Sequence, residues 1–177
     1  MNDVSWRLAE KPDRRLLESF TCCPADHPPR LACDQPWAHE VQTYFRRDAI
    51  RAYNRHNAVY DQRLLLVLEG PDLVGAAVHA LTDIGTDADA LRERTLVAYA
   101  VGVDYQGKSL SDGRRASAAV LDAAIMDISS RHGEGQVVVL HAFVRPANEA
   151  SRTALSRHGV PYRHTNGDFM VHSARIS

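Results

Sequence analysis

The residues with the clearest chemical potential lie at a strand–loop–helix junction in the second half of the chain. A β-branched run ending at Val103 leads into a polar loop, and an apolar helical periodicity follows directly after it. Such a junction leaves backbone N–H groups unpaired at the positive end of a helix dipole. The pattern therefore predicts an anion site, and pyrophosphate is the ligand it favours. The loop residues are Gln106, Gly107, Lys108, Ser109, Leu110, Ser111 and Asp112.

Hydrophobic periodicity predicts the elements that must position this loop. A helix is predicted from Trp37, and Asn166-Gly167 indicates a final hairpin. Because three strands precede the first helix of the junction, a mixed α+β sheet with helices on both faces is favoured over a doubly wound parallel sheet. The predicted strands are 4–9, 62–69, 73–81, 94–103, 137–144, 162–165 and 168–173. One helix follows the 106–112 loop and ends before Gly133, and a second helix spans 148–158.

Composition sets limits on the class of protein. A length of 177 residues favours one domain, 1–177. The net charge of −1 gives no indication of a nucleic-acid or membrane partner. No apolar run suits a membrane span and the first residues lack a signal-peptide core, so a cytoplasmic protein is expected. Cys22, Cys23 and Cys33 show no CxxC spacing, and reduced thiols are favoured over a zinc site with His27. No metal is expected.

A second motif lies downstream of the loop. Val144 to Ala150 reads V-R-P-A-N-E-A and opens a helix closed by Gly159. With the preceding loop, which matches the spacing Q/R-x-x-G-x-G/A at Gln106, the stretch 101–159 resembles the GNAT family of acyl-CoA-dependent N-acyltransferases. The resemblance implies a mostly antiparallel central sheet, flanked by helices, with a splayed strand pair that forms the acyl-CoA cleft.

The resemblance also implies acetyl-CoA as cosubstrate and assigns residues to it. Backbone amides from Gly107 to Asp112 would hold the pyrophosphate, with the hydroxyls of Ser109 and Ser111 as further donors. The third strand would bulge near Val101–Val103 and offer free amides to the pantetheine arm. Asn148 would steady that arm, and Ser151 lies one helical turn further on.

The sequence departs from the family at the positions that carry chemistry. The loop glycines of the pattern are Ser109 and Ser111, and the tyrosine that often protonates the leaving thiolate is Leu155. Two positions at which family members carry a catalytic glutamate or base are Phe143 and Thr95. The sequence therefore supports cofactor binding better than catalysis.

Strand alternation supplies the candidate catalytic groups. Glu93 shares a face with Thr95, and His141 shares a face with Phe143, so each is a candidate base or water-relay group, with Tyr99 behind them. A solvated strand end for Glu93 and a hydrogen-bonded core histidine for His141 are the structural alternatives.

The acceptor is weakly encoded. An arginine stripe (Arg46, Arg47, Arg51 and Arg55) and an acidic loop (Asp83, Asp87 and Asp89) favour acceptors of opposite charge, and neither selects one. The leading hypothesis is an acetyl-CoA-dependent N-acetyltransferase in which an amine, on a small molecule or a peptide, attacks the thioester directly. The alternatives are a GNAT-fold acyl-CoA-binding protein with degenerate catalysis and a regulatory role, or an aminoacyl-tRNA-directed acetylating toxin. A homodimer is left open.

Overall fold

The computed structural model describes residues 3–23, 36–49, 51, 60–82, 92–132 and 136–177. Within these residues the chain forms seven strands and four α-helices. The strands are β1 (Val4–Leu8), β2 (Arg63–Glu69), β3 (Asp72–Leu81), β4 (Arg92–Val101), β5 (Val138–Val144), β6 (Tyr162–Asn166) and β7 (Phe169–Ile176). The helices are α1 (Arg14–Ser19), α2 (Pro36–Thr43), α3 (Ala116–Ser130) and α4 (Glu149–Arg157), and a π-helical turn, Tyr44–Ala49, extends α2.

All seven strands belong to one sheet in the order β1-β2-β3-β4-β5-β7-β6. The only parallel pair among the described strands is β4 with β5, because α3 crosses over the sheet between them. Every other neighbouring pair is antiparallel. This is the mixed, mostly antiparallel α+β sheet that the sequence predicts.

The parallel pair separates halfway along β4. Its ladder runs from Arg92 and Val138 to Leu96 and Ala142, and no further pairs follow. The rest of β4 continues to pair with β3 on its other side. The predicted splay is thus present, and it opens a cleft between two strands of one sheet.

The predicted position of the bulge was wrong. The register with β3 shifts between Val78 and His79, which leaves Val97 as the extra residue on β4. Strand β4 then ends at Val101, and Val103–Tyr105 forms a 3₁₀ turn in place of the predicted strand end. A bulge at Val97 bends β4 where the splay begins, because an unpaired extra residue locally increases strand twist.

Two apolar clusters cover the two faces of the sheet. One lies under α3 and includes Val120, Leu140 and Leu155, and the other lies under α1 and the π-helical turn and includes Leu17 and Phe45. Helix α3 approaches the sheet closely at Gly75, where a Cβ atom would lie 2.6 Å from Val120 Cγ2 and 2.5 Å from the Ala100 carbonyl oxygen. A side chain at this position would push the helix off the strands that form the cleft.

The carboxyl-terminal half of α3 carries a buried charge. Asp127 accepts two hydrogen bonds from Arg63, at 2.9 and 3.0 Å, and one from His79 Nε2 at 3.0 Å. Arg94 donates to His79 Nδ1 at 2.8 Å and also pairs with Asp61. Burial alone would raise the pKa of Asp127, but the hydrogen bonds from His79 and Arg63 outweigh it and hold that pKa well below its ordinary value.

None of the helices that the structure describes has the length and apolar character needed to cross a membrane. The acidic loop of the sequence analysis, with Asp83, Asp87 and Asp89, lies outside the described residues, as do Arg55, His27 and Cys33.

Candidate active site

A cleft of about 290 Å³ lies where β4 separates from β5. One wall is the free half of β4, from Tyr99 to Val101, and the facing wall is the start of α4, from Asn148 to Ala154. Its remaining walls come from Cys22, from α2 (Trp37, Ala38 and Val41), from the loop (Gln106, Gly107 and Lys108) and from the start of α3 (Arg115 and Ser117). The cleft therefore joins the two segments that the sequence motifs single out.

The amino terminus of α3 forms the polar end of this cleft. The helix begins at Ala116, later than the sequence predicts, and its N-cap Arg115 makes no side-chain capping bond. The Ala116 amide donates to the Lys108 carbonyl oxygen at 3.2 Å, whereas the Ser117 and Ala118 amides have no acceptor in the described part of the chain. The first turn holds no acidic residue. These two amides, with the helix dipole behind them, are available to an anion.

Two cations flank this helix terminus. Lys108 and Arg115 are exposed, line the cleft and form no ion pair with any described residue. Their neighbour Arg114 differs, since it pairs with Asp112 at 2.7 Å and with Asp122 at 3.4 Å. The charge that remains unbalanced at the cleft is therefore positive.

Most of the predicted loop cradle is occupied by the protein itself. The amides of Lys108, Leu110 and Ser111 donate to the Tyr105 carbonyl, the Arg114 carbonyl and the Glu69 carboxylate, at 3.1, 2.8 and 2.6 Å. Leu110 is buried in the core beneath α3. Ser109, Ser111 and Asp112 do not line the cleft. Of the predicted cradle from Gly107 to Asp112, only Gly107 and Lys108 line the cleft, and the Lys108 amide already has an acceptor.

Gly107 and Gln106 hold the loop in shape. Gly107 has a φ of +73°, which glycine adopts without strain. The Gln106 side chain donates to the Cys22 carbonyl oxygen at 2.6 Å and to the Val101 carbonyl oxygen at 3.2 Å. Gln106 therefore fixes the end of β4 to the segment before α2, across one wall of the cleft.

The predicted pantetheine amides are available only in part. Val103 donates its amide to the Thr21 carbonyl oxygen at 2.8 Å, so it is not free for a ligand. Val101 ends β4 and lines the cleft. The predicted role of Val103 therefore needs correction, and the free stretch of β4 that borders the cleft is Tyr99–Val101.

Helix α4 contributes a capped terminus and a tyrosine contact. The Asn148 side chain accepts a hydrogen bond from the Ser151 amide at 3.1 Å, and both residues line the cleft as predicted. The Tyr99 hydroxyl donates to the Ser151 carbonyl oxygen at 3.1 Å, which ties β4 to α4 across the opening. Burial raises the pKa of Tyr99 to about 12, so its hydroxyl stays protonated at neutral pH. Leu155 is fully buried and cannot reach a ligand in the cleft.

The two predicted catalytic residues lie together. His141 Nε2 is 3.7 Å from Glu93 Oε2, and His141 pairs with Thr95 one position before the ladder ends. Leu140 and Ala142 belong to the core under α3, so alternation places His141 on the opposite face of the sheet. His141 is partly exposed, which argues against a core histidine. Neither residue lines the cleft; both lie beside the point where the strands separate.

The remaining sequence candidates have structural roles or surface positions. Arg46 donates to the Phe20 carbonyl oxygen at 2.7 Å, which separates it from the exposed Arg47 and Arg51 of the same stripe. Cys23 Sγ lies 3.2 Å from His39 Nε2, and burial raises the pKa of Cys22 to about 12. Within the described ranges, no group of three or more potential metal ligands comes together.

Sequence reasoning missed Arg115, Ser117 and Ala118, which lie at the candidate anion site. The motif spacing assigned the phosphate loop to 106–111, whereas the helix starts ten residues after Gln106. A signal was available, because small apolar residues at helical spacing begin only at Ala116 and the preceding Asp112-Gly113 is typical of a turn. The loop is therefore longer than the pattern assumed.

Comparisons with known proteins bear on the fold. No family model matches the sequence, and no curated protein matches it. Among solved structures, the PaiA N-acetyltransferase from Thermoplasma acidophilum, in complex with coenzyme A, superposes with a TM-score of 0.68 at 12% identity, covering 98% of this chain and 99% of that one.

Two further structures are similar at comparable length. A mutant of the AtaT toxin, bound to the carboxyl terminus of the antitoxin AtaR and acetyl-CoA, has a TM-score of 0.66 at 13% identity and covers 99% of this chain and 94% of that one. A GNAT-family protein from Desulfovibrio desulfuricans has a TM-score of 0.62 at 16% identity, with coverage of 99% and 100%. The chain therefore has the GNAT fold.

Proposed function

We propose that the protein is an acetyl-CoA-dependent N-acetyltransferase in which an acceptor amine attacks the thioester directly, in a ternary complex. The observation that carries the proposal is the meeting of two features in one cleft. The splayed end of β4 borders it, and the uncapped start of α3 closes it. Structures with this fold have coenzyme A or acetyl-CoA bound, which supports the same ligand class here.

The residues of the cleft fit such a ligand from one end to the other. The free amides of Ser117 and Ala118, with Lys108 and Arg115, suit the pyrophosphate. The free stretch of β4, Tyr99–Val101, suits an extended amide-bearing arm that adds to a strand edge.

A second, shallower groove continues from the cleft between α3 and α4. It shares Arg115, Ser117, Ala150 and Ala154 with the cleft and adds Arg157. No described residue forms an ion pair with Arg157. The groove is also lined by Glu149 and by Asp122, which pairs with Arg114, so Arg115 and Arg157 are the cations that can contact a long anionic ligand there.

The ligand would supply an acyl group activated as a thioester, and the chain must supply a base and hold the acceptor. His141 takes the proton that the attacking amine releases, while the new N–C bond forms and the C–S bond breaks to give a thiolate. Glu93, 3.7 Å away, stabilises the imidazolium that results. Tyr99 keeps its own proton and holds the cleft wall through Ser151.

The direct test measures thiol release from acetyl-CoA over a panel of primary amines, peptides and aminoacyl-tRNAs, with coenzyme A affinity measured by calorimetry. We expect micromolar-range binding and thiol release with at least one acceptor class. Absence of any calorimetric signal with coenzyme A and acetyl-CoA would overturn the cofactor assignment itself.

His141→Gln tests the base directly. We expect kcat to fall about 100-fold because general-base assistance is lost, with the Kd of acetyl-CoA unchanged. His164→Gln is the matched control, since His164 is exposed on the outer strand β6. Equal activity of the two variants would exclude His141 as the base.

A second candidate function is an acyl-CoA-binding protein with degenerate catalysis. It is favoured by Leu155, which is fully buried at the position where the family often has the tyrosine that protonates the leaving thiolate. Tight coenzyme A binding without thiol release for any acceptor would support this candidate over the enzyme.

The aminoacyl-tRNA arm of the panel tests the toxin alternative. Arg47 and Arg51 are exposed and available to phosphates, and one structure of the same fold is a toxin. If aminoacyl-tRNA is the acceptor, its acetylation should fall steeply with salt, because cationic side chains bind the phosphate backbone.

A further inference from the structure

Two apolar side chains mark the point where the parallel strands separate. Val97 and Phe143 are the residues directly after the last paired positions, Leu96 and Ala142. Val97 is 46% exposed and Phe143 is 45% exposed. Large apolar side chains that remain this exposed at a strand opening are suited to contact a ligand.

Phe143 lies on the face that carries the proposed base, and Val97 lies at the bulge where the strands separate. Ala142 packs under α3, so alternation points Phe143 to the other face, together with His141. Val97 is the extra residue of the bulge and does not belong to the cluster under α3. Exposure is not a general property of this face, because Val171, the partner of Phe143 on β7, is buried. Phe143 is therefore uncovered at the opening, whereas its neighbour on β7 is covered.

The surrounding charges suit a cationic group beside this apolar surface. The Glu93 carboxylate is 40% exposed and lies next to His141, where a protonated amine would arrive before it loses its proton. No described cation pairs with Glu93 other than His141 when it is protonated. An acceptor with a carboxylate next to its amine would meet Glu93 unfavourably.

We propose that the acceptor is a primary amine with an apolar substituent close to the nitrogen, and that Val97 and Phe143 are its specificity-determining contacts. This inference rests on the proposed acetyltransferase activity. The amine lies beside His141 and Glu93, and its hydrocarbon part covers Val97 and the Phe143 ring.

The test compares two primary amines of similar basicity, 2-phenylethylamine and 2-aminoethanol, with the full-length protein and acetyl-CoA. We expect kcat/KM for 2-phenylethylamine to exceed that for 2-aminoethanol by at least about tenfold, since burial of the ring removes apolar surface from water. Equal values for the two amines would overturn the inference and leave the acetyltransferase activity standing.

The variants Phe143→Ser and Val97→Thr locate the preference. Each should lower the ratio of the two kcat/KM values by roughly fivefold or more, through KM for 2-phenylethylamine, with the Kd of acetyl-CoA unchanged. Val97→Thr preserves shape, so it separates lost apolar contact from lost volume. Melting temperatures close to that of the parent protein show that both variants fold.

Tyr162→Ser is the matched control. Tyr162 has the same exposure as Phe143, 45%, but its ring packs against His172, which faces α4 on the other side of the sheet. We expect an unchanged ratio in this variant. If Phe143→Ser and Tyr162→Ser behave alike, the apolar contact lies elsewhere. If no amine, peptide or aminoacyl-tRNA yields thiol although acetyl-CoA binds, the acetyltransferase activity fails first, and the inference fails with it.

Discussion

The two ends of α3 both meet polar groups, but only one end satisfies them within the protein. Near the carboxyl end, Asp127 is buried and accepts hydrogen bonds from Arg63 and His79. At the amino end, the Ser117 and Ala118 amides have no acceptor among the described residues, and Lys108 and Arg115 have no carboxylate partner there.

This difference separates a structural end from a binding end of the same helix. Buried polar groups are normally paired, because an unpaired one loses its hydration without compensation. The carboxyl end therefore holds α3 against β2 and β3. The amino end keeps its donors at an open cleft, where water or an anionic ligand can accept their hydrogen bonds.

The largest expected effect is the loss of the paired end. Asp127→Ala leaves Arg63 and His79 without their shared carboxylate, and we expect the free energy of unfolding to fall by about 3–5 kcal/mol. Thermal unfolding should show a drop in Tm of roughly 10 °C. Asp122→Ala is the control on the same helix, since Asp122 makes only longer, partly exposed ion pairs. A similar drop for both variants would mean that the buried pairing is not special.

A change at the other end should alter binding and leave stability intact. Ser117→Asp puts a carboxylate in the first turn of α3. The carboxylate interacts favourably with the helix dipole, but it repels a phosphate. We expect coenzyme A affinity to fall about tenfold or more by calorimetry, with Tm unchanged or raised. Pantetheine, which has no phosphate, should bind both proteins equally. An unaltered affinity for coenzyme A would place the pyrophosphate away from α3.

The smallest expected effect is a pH dependence of the paired end. Burial lowers the pKa of His79, and Arg94 adds to this by donating to Nδ1, so the folded protein holds His79 neutral with its Nε2–H on Asp127. The unfolded chain binds a proton more readily, so stability should be complete above about pH 6.5 and decline as the pH falls below it.

His79→Gln checks the origin of this decline. Its Tm should fall less between about pH 7 and about pH 5 than that of the parent protein. Some decline should remain, because burial and Arg94 also lower the pKa of His132. Identical pH profiles for the two proteins would assign the effect to other groups. The Asp127 carboxyl does not cause this decline, because its folded pKa is depressed and its stabilisation is lost only when the pH falls below the ordinary pKa of an aspartate, about 4.

The local sequence pattern was sufficient to predict most helices and strands of the fold. The hairpins β2–β3 and β6–β7 follow from Gly-containing turns between β-type runs, and α4 follows from its Asn148 cap and closing Gly159. Each of these depends on residues close in sequence. The start of α3 was not predicted correctly. The family pattern implies a short loop, whereas the loop here is longer and is held by its own backbone hydrogen bonds.

The candidate site, too, was predictable from the sequence only in part. By itself the sequence determined the fold class, the two motifs and the faces of Glu93 and His141, because alternation and spacing are local properties. Only the tertiary structure decided that these two side chains lie close together, that the Val103 amide donates to the Thr21 carbonyl oxygen, and that Leu155 is buried. Those outcomes depend on how β4, β5 and the segment before α2 pack together, and contacts between distant segments are not encoded in the pattern of any one of them.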